Sequence, residues 1–307
     1  MDDLSRNWYR LSFENRFLKC KGNEFQSLFS DVMERAYPGD FIRIRPHGPL
    51  GDLKCDGYRA STKTVFQVYG PLESKMSKLI GKIKTDFAGA LQDWPGKMDE
   101  WIFVHNNSAG LQAQVLQLLL GLQSAHAPLR VSNWGFADLA RIVDRLSEKD
   151  CEAMMGIAPT RRDLDNLNFG GIELVLGSIM PMKPPDDIQI APVPVNKIES
   201  NQLSSAAANL LKLGWQKEKL VEEFLDHWHD PALGEALAEA YRTRYAALKN
   251  RGISPDEIFG ELFTFTAGDG AQTPEYIVAV LAVVAYFFQR CDIFESPQPD
   301  QLGYSKK

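Results

Sequence analysis

Cysteine is scarce in this chain, with four cysteines in 307 residues. They lie far apart and form no CxxC pair, so neither a zinc site nor a disulfide framework is indicated. Long apolar runs are also missing, because the stretch from Tyr276 to Phe288 falls short of the ~20 residues that span a bilayer. The first residues, MDDLSRNWYR, lack the apolar core of a secretory signal. We therefore expect a cytoplasmic protein that makes no contact with a membrane.

A large excess of charge is absent as well, since the net charge is −6. The charge is nevertheless uneven along the chain. Residues 1–90 contain 15 Lys and Arg against 11 Asp and Glu, a net charge of +4, and the remainder has a net charge of −10. The first third is thus the part whose charge suits a polyanion, and the rest better suits a protein partner.

Hydrophobic periodicity predicts an α/β domain with a central mixed sheet over residues 1–156. Apolar residues at helical spacing alternate with short runs rich in β-branched and aromatic residues, which is typical of this fold class. The predicted helices lie within 9–36, 75–91, 111–124 and 136–146, and the predicted strands lie at 41–45, 64–69, 101–104 and 130–134.

The second half of the chain has a different composition. Six prolines between 157 and 198 predict a linker, which contains a short apolar stretch at 172–176 that we interpret as a strand. Helical periodicity then predicts an all-α bundle over 199–297, followed by a tail at 298–307. The predicted bundle helices are 204–213, 216–228, 232–249, 254–264 and 273–290.

The residues with the clearest chemical potential surround a predicted hairpin. Asp56 precedes Gly57 at the start of one strand, and Gln67 lies on the neighbouring strand. A carboxylate and an amide oxygen at one end of a sheet are hard ligands of the kind that Mg²⁺ prefers. Glu24, on the preceding helix, is positioned to add a second carboxylate. Two plainer interpretations remain: Asp56 and Gly57 as turn residues, and Gln67 as a hydrogen-bonding residue of an edge strand.

Three motifs together resemble the restriction-endonuclease-like (PD-(D/E)xK) superfamily, and most closely its Mrr-type branch. They are GNEFQSL at 22–28, GDLKCDG at 51–57 and QVY at 67–69, which correspond in order and spacing to the "(E)FE-L", "GDGGxDG" and "QxK" motifs of that branch. The resemblance covers about residues 20–140. It implies a restriction-endonuclease-like fold and hydrolysis of DNA phosphodiesters with Mg²⁺, or Mn²⁺ in its place. It also implies catalytic roles for Glu24, Asp56 and Gln67, with Asp56 and Gln67 as metal ligands.

One position departs from the family pattern, because Tyr69 stands where the family has a lysine. A tyrosine with an ordinary pKa of about 10 is a poor general base at neutral pH. Lys54 or Lys75 is therefore predicted to supply the missing ammonium from a neighbouring element. The alternatives are a catalytically inactive nuclease-like sensor that binds nucleic acid or partner proteins, and a purely structural adaptor.

Basic residues near the same motif are candidates for contact with nucleic acid. Arg43 and Arg45 alternate on one predicted strand, and His47 follows in the loop. Such residues commonly contact phosphate oxygens. The alternative is a solvated sheet face and a solvated loop histidine.

The C-terminal half carries a second resemblance. The segments 201–204, 230–234, 254–259 and 286–295 are similar to the C-terminal domain of effector proteins in bacterial ABC-three-component conflict systems. This resemblance spans about residues 195–297. It implies an anti-phage defence setting in which an SMC-like ATPase and a small middle component are the protein partners.

Overall fold

The structure, a computed structural model, describes residues 1–44, 53–71, 76–108, 110–179, 197–230, 232–270, 273–290 and 293–294. The chain divides into two compact units. The α/β unit is Phe13–Met155, and the helical unit combines Met1–Ser12 with Gly156–Lys307. The division after Met155 lies beside the boundary predicted at residue 156. Residues 1–12, which the sequence assigned to the α/β domain, group with the helical unit.

The described residues of the α/β unit form five strands and the helices that cover them. Its strands are β1 (Phe41–Arg43), β2 (Gly57–Arg59), β3 (Thr64–Tyr69), β4 (Glu100–His105) and β5 (Arg130–Trp134). Its helices are the end of α1 (Asp3–Lys19), then α2 (Gly22–Ala36), α3 (Met76–Asp93), α4 (Ala113–Ala125), α5 (Phe136–Val143) and α6 (Glu148–Met155).

The strands form one mixed sheet in the order β1-β2-β3-β4-β5. The first three strands pair antiparallel, and β3, β4 and β5 pair parallel. The predicted mixed sheet in the N-terminal half is therefore confirmed. Strands β3 and β4 are almost continuously buried because both faces of the centre of a sheet are covered.

Each face of the sheet has its own apolar core, because side chains alternate between faces along a strand. Phe66 and Val68 of β3 belong to the cluster that includes residues of α2 and α5. Val65 and Tyr69 belong to the other cluster, with residues of α3 and α4. The end of β3 thus lies beside α3.

The helical unit is built around one fully buried helix. Its helices are α7 (Arg161–Asp165), α8 (Phe169–Ile179), α9 (Lys197–Ser200), α10 (Ser205–Trp215), α11 (Glu218–His227), α12 (Leu233–Asn250), α13 (Pro255–Ala267) and α14 (Pro274–Gln289). Every residue of α14 from Tyr276 to Phe288 is buried, which agrees with its nearly unbroken apolar sequence. The predicted C-terminal helices are confirmed. None of the helices in the described residues is long and apolar enough to cross a membrane.

The predicted strand at 172–176 is wrong, because these residues lie within α8. Ile172, Val175 and Leu176 are buried, whereas Leu174 is 68% exposed. This spacing is that of a helix with one buried face, and a short apolar run alone does not distinguish a strand from a helix. Helix α7 also lies in the predicted linker, whose remaining part at 180–196 falls outside the described residues.

Candidate functional site

Asp56 and Gln67 are brought together by the pairing of β2 with β3. The Asp56 N–H donates to the Phe66 carbonyl over 2.9 Å, which extends the ladder one residue before Gly57. This places Asp56 opposite Gln67, and opposed residues of an antiparallel pair share one face of the sheet.

The carboxylate of Asp56 is 5% exposed and accepts hydrogen bonds from three groups. Gln67 Nε2 donates to Oδ2 over 2.8 Å, and the Val68 N–H donates to the same oxygen over 2.6 Å. Gln26 Nε2 donates to Oδ1 over 2.6 Å. These donors compensate a buried negative charge that would otherwise be costly.

The amide of Gln67 is oriented by this contact. A carboxylate accepts but does not donate, so the Nε2 of Gln67 faces Asp56 and its Oε1 points elsewhere. Gln67 is 3% exposed, and its Oε1 is buried without a hydrogen-bond partner in the part of the chain that the structure describes. A buried acceptor without a partner is uncommon in a folded protein, and contact with a water or an ion would satisfy it.

Helix α2 reaches Asp56 through Gln26, a residue that the sequence did not single out. The predicted Glu24 lies exposed in the first turn of the same helix. Gln26 lies within the same motif, two residues after Glu24. Positions two apart on a helix point in different directions, so the choice between them depends on how α2 is rotated against the sheet.

The positive charge near Tyr69 comes from helix α3. Lys82 Nζ lies 5.9 Å from the centroid of the Tyr69 ring and 2.6 Å from Asp86 Oδ2. Lys54 Nζ lies 3.5 Å from the other oxygen of Asp86, whose side chain is 3% exposed. The Lys54 stem packs against Gly89, where a Cβ would come within 2.5 Å of Lys54 Cγ. The ammonium of Lys54 is therefore held by a buried carboxylate of α3.

Other predicted site residues are only partly described. Lys75, Arg45 and His47 lie outside the described residues. Arg43 is half-buried, and its Nη2 donates to Ser27 Oγ on α2 over 2.9 Å. Its guanidinium is therefore tethered to the helix that also carries Gln26.

A cavity of about 300 Å³ lies at the carboxyl ends of β3 and β4. Tyr69 and His105, which are paired in the strand register, both line it. Ligands of open sheets commonly bind at the carboxyl ends of parallel strands. The sequence prediction missed this site. The signal was present in the run His105-Asn106-Asn107, which places three polar residues directly at the end of a buried strand.

His105 is a neutral donor at the wall of this cavity. It is 5% exposed, and burial lowers the pKa of its imidazole below the ordinary 6.5. The Asn107 N–H donates to Nδ1 over 3.3 Å, so the proton of the neutral ring is on Nε2. Asn106 is fixed by a hydrogen bond of 3.1 Å from its Nδ2 to the Cys20 carbonyl.

Across the described residues, no three His, Cys, Asp or Glu side chains come together as a metal site. A zinc centre of the usual kind is therefore not formed by them. A magnesium site needs fewer protein ligands, because Mg²⁺ keeps several waters and often uses one or two carboxylates together with substrate phosphates. Asp56 and the unpaired Oε1 of Gln67 are compatible with that smaller donor set.

Comparison with known protein families finds a similarity in the C-terminal half of the chain. Residues 172–295 match the family model of C-terminal domain 10 of the ABC-three component (ABC-3C) systems. The C-terminal half of the chain is therefore similar to the domain that its sequence motifs had indicated, and the similarity begins earlier than the predicted residue 195. The α/β unit lies outside the matched residues. No curated protein and no solved structure matches the chain.

Proposed function

We propose that this chain is an effector of an ABC-three-component conflict system, whose α/β unit hydrolyses DNA and whose helical unit binds the other components. The match at residues 172–295 supports the setting. The anti-phage role and the partners, an SMC-like ATPase and a small middle component, follow from the resemblance to such effectors.

The order of elements in the α/β unit supports the nuclease part of the proposal. A helix, three antiparallel strands, a helix and a parallel strand follow one another from α2 to β4. The resemblance to restriction-endonuclease-like proteins leads to the same expectation. A fold alone does not determine an activity, so the argument rests on the site.

The observation that carries the proposal is the buried, unpaired Oε1 of Gln67, an amide whose Nε2 donates to the carboxylate of Asp56. These two side chains would hold Mg²⁺ or Mn²⁺, with water and a DNA phosphate as further ligands. The bound ion would supply Lewis-acid stabilisation of charge on the scissile phosphate. Gln26 donates to the other oxygen of Asp56 and would keep the carboxylate in position.

In place of the family lysine, which is Tyr69 in this chain, Lys54 or Lys82 would supply the ammonium. Both are bound to Asp86, and Lys82 lies over the Tyr69 ring. Loss of one charged group that stabilises a transition state typically costs about 10²–10³-fold in rate. Lys75 remains a third candidate from the sequence.

A second candidate function is a catalytically inactive nuclease-like sensor. The observation that favours it is the saturation of Asp56, whose two oxygens accept three hydrogen bonds from protein donors. A metal ion would have to displace or share these donors. In this alternative the α/β unit binds nucleic acid or partner proteins without hydrolysis.

The test is a nuclease assay on plasmid and linear DNA with Mg²⁺ or Mn²⁺, using the full chain alone and together with its system partners. Asp56→Asn should abolish cleavage. The control is Asp99→Asn, because Asp99 is exposed and paired with Lys63 over 3.6 Å. Titration with Mn²⁺, followed by electron paramagnetic resonance, measures metal binding directly. DNA binding without cleavage, and without Mn²⁺ binding, would select the inactive sensor.

A further inference from the structure

The cavity at the ends of β3 and β4 contains none of the residues that contact the Asp56 carboxylate. Twelve described residues line it, and all of them belong to the α/β unit. Its volume of about 300 Å³ is at the lower end of the ~300–1,000 Å³ that small-molecule sites have. The cavity therefore limits an occupant to the size of one nucleotide or a similar molecule.

One wall of the cavity is aromatic. The rings of Tyr69 and Phe103 lie 6.0 Å apart at 32°, and those of Phe103 and His105 lie 6.3 Å apart at 27°. Tyr69 is half-buried, whereas the other two rings are almost fully buried. The accessible part of this wall is thus the Tyr69 side chain, which offers a flat apolar surface to a planar ligand.

The polar residues of the lining lie at the end of β4 and just before α4. Asn107 and the neutral His105 follow each other closely at the end of β4. Gln112 is the residue before α4, and its side chain makes no capping hydrogen bond with that helix. Side-chain amides pair with the edges of nucleobases because they combine a donor with an acceptor.

The charge of the described lining residues favours an anion. Lys21 is the one charged residue among the twelve, and no carboxylate is among them. Lys21 also precedes the first turn of α2, and it forms no side-chain cap there. An ammonium beside the start of a helix favours a phosphate over a cation or a neutral group.

From this cavity we infer that the α/β unit binds a free nucleoside monophosphate, with the base against Tyr69 and the phosphate at Lys21. The lining shares no residue with the groups that donate to Asp56 in the described residues, and it meets the proposed hydrolytic centre at Tyr69, over whose ring Lys82 lies. The amides of Asn107 and Gln112 face the base edge.

The experiment is isothermal titration of the full chain, without divalent metal, with the four common 5′-mononucleotides. The matched nucleosides and inorganic phosphate are titrated in parallel. At least one mononucleotide should bind ten or more times more tightly than its nucleoside, and phosphate alone should not bind measurably. Equal affinity for nucleotide and nucleoside would overturn the assignment of Lys21, and no binding of any mononucleotide would overturn the site.

Two pairs of variants locate the binding. Lys21→Met should weaken binding about tenfold, whereas Lys84→Met on the exposed face of α3 should not change it. Tyr69→Leu should weaken binding about tenfold through loss of stacking. Its control is Tyr58→Leu, since Tyr58 stacks on Trp94, 4.9 Å away, and does not line the cavity.

Thermal unfolding of each variant shows whether it is folded, and the exposed Gln112→Ala provides a further test if Tyr69→Leu is not. Gln112→Ala should weaken binding of the nucleotide and of the nucleoside equally, because Gln112 contacts the base. If each variant binds the nucleotide as tightly as its control does, the proposed nucleotide site is wrong. If the chain binds a nucleotide but does not cleave DNA, only the proposed hydrolysis is rejected. If it cleaves DNA but binds no nucleotide, only the nucleotide site is rejected.

Discussion

The carboxylate of Asp56 combines a structural role with the chemical role that we propose for it. It is almost fully buried, yet it accepts hydrogen bonds from two side-chain amides and one backbone N–H. The same contacts that stabilise the buried charge also orient Gln67. Substitutions here consequently affect stability as well as activity, and the two effects have to be measured separately.

Asp56→Asn should lower the free energy of unfolding by about 2 kcal/mol. Asparagine can accept hydrogen bonds through one oxygen only, so at least one of the three donors is left facing an NH₂ group. Urea unfolding of the full chain measures the loss, and hydrogen exchange at the Val68 N–H should become faster. Asp99→Asn should change stability by less than about 1 kcal/mol, because its ion pair is exposed. Equal stability of the two variants would show that the Asp56 contacts contribute nothing.

His105 predicts a dependence of stability on pH. Burial lowers its pKa in the folded protein below the 6.5 of the unfolded chain. Between these two values the unfolded chain binds more protons, so stability is full above pH 6.5 and falls as the pH decreases towards the folded pKa. The free energy of unfolding decreases by as much as ~1.4 kcal/mol per pH unit between these two pKa values.

The measurement is the melting temperature of the full chain between pH 7.5 and pH 5. His105→Asn should reduce the decrease on acidification, whatever its effect at pH 7.5. The exposed His229→Asn controls for the removal of a histidine as such. A decrease that is equally steep in wild type and His105→Asn would contradict the prediction.

Individual site residues were predictable where strand pairing determines them. Asp56 and Gln67 lie on adjacent antiparallel strands, and a hairpin brings such positions together. Gln26 and Lys82 were not predictable in the same way. Gln26 contacts Asp56 from α2, and Lys82 contacts Asp86 within α3. The rotation of a helix about its axis depends on packing that no local pattern specifies.

At the scale of elements, α10 and α14 approach so closely that a glycine is required between them. A Cβ at Gly214 would lie 2.6 Å from the Leu281 carbonyl oxygen and 2.8 Å from Ala285 Cβ. Backbone atoms of a buried helix cannot give way as a flexible side chain can. Gly214 is thus a contact residue between two helices rather than a helix breaker.

Gly214→Ala should therefore destabilise the helical unit by about 1–3 kcal/mol through overpacking. In an unobstructed helix the same change is favourable by about 1 kcal/mol. Gly177→Ala on α8 is the matched control, because a Cβ added at Gly177 would have no other atom within 4 Å. Chemical denaturation should move the two variants in opposite directions, and stabilisation of both would show that α10 and α14 can separate without cost.

A buried lysine closes the carboxyl end of α14. Lys197 is 3% exposed, and its Nζ donates to the Phe288 carbonyl over 2.6 Å and to the Ile293 carbonyl over 2.5 Å. The ammonium also lies 4.6 Å from the centroid of the Phe288 ring. Cations near the last carbonyls of a helix are favourable, and burial strengthens the interaction.

Lys197→Met should cost about 2–3 kcal/mol, since the methionine retains the apolar stem but leaves two buried carbonyls without their donor. Lys212→Met on the exposed side of α10 should have an effect of less than about 0.5 kcal/mol, as is usual for surface substitutions. Urea denaturation compares the two variants. A midpoint for Lys197→Met equal to that of the control would mean that the carbonyls find other partners.

Most elements were predictable because their apolar spacing is unambiguous. Strands β3 and β5 have the predicted bounds, and helices α10–α14 differ from the prediction by a few residues at their ends. Helices α6 and α7 were not predicted, and at α8 proline content indicated a linker and a short apolar run indicated a strand. Its buried face packs in the core that surrounds α14, and this tertiary contact determines its conformation.

At the scale of the whole molecule, the two units differ in net charge. The α/β unit contains 18 Lys and Arg against 17 Asp and Glu, a net charge of +1, so the helical unit has a net charge of −7. An acidic surface repels DNA and is compatible with protein partners. The helical unit also contains the residues that match the ABC-three-component domain. We expect the two units to have separable tasks.

The exposed apolar residues of α8 provide a test of this separation. Leu174, which is 68% exposed, lies within the matched residues. If the helical unit binds the small middle component through this face, Leu174→Asp should reduce co-purification of that component at least tenfold, because a carboxylate would be desolvated in the interface. The thermal stability of the chain should remain unchanged, as should any DNA cleavage found in the nuclease assay. Leu120→Asp is the matched control, since Leu120 is 57% exposed on α4 of the α/β unit. Co-purification that survives Leu174→Asp would exclude α8 as the docking face, and loss with Leu120→Asp would place the partner on the α/β unit instead.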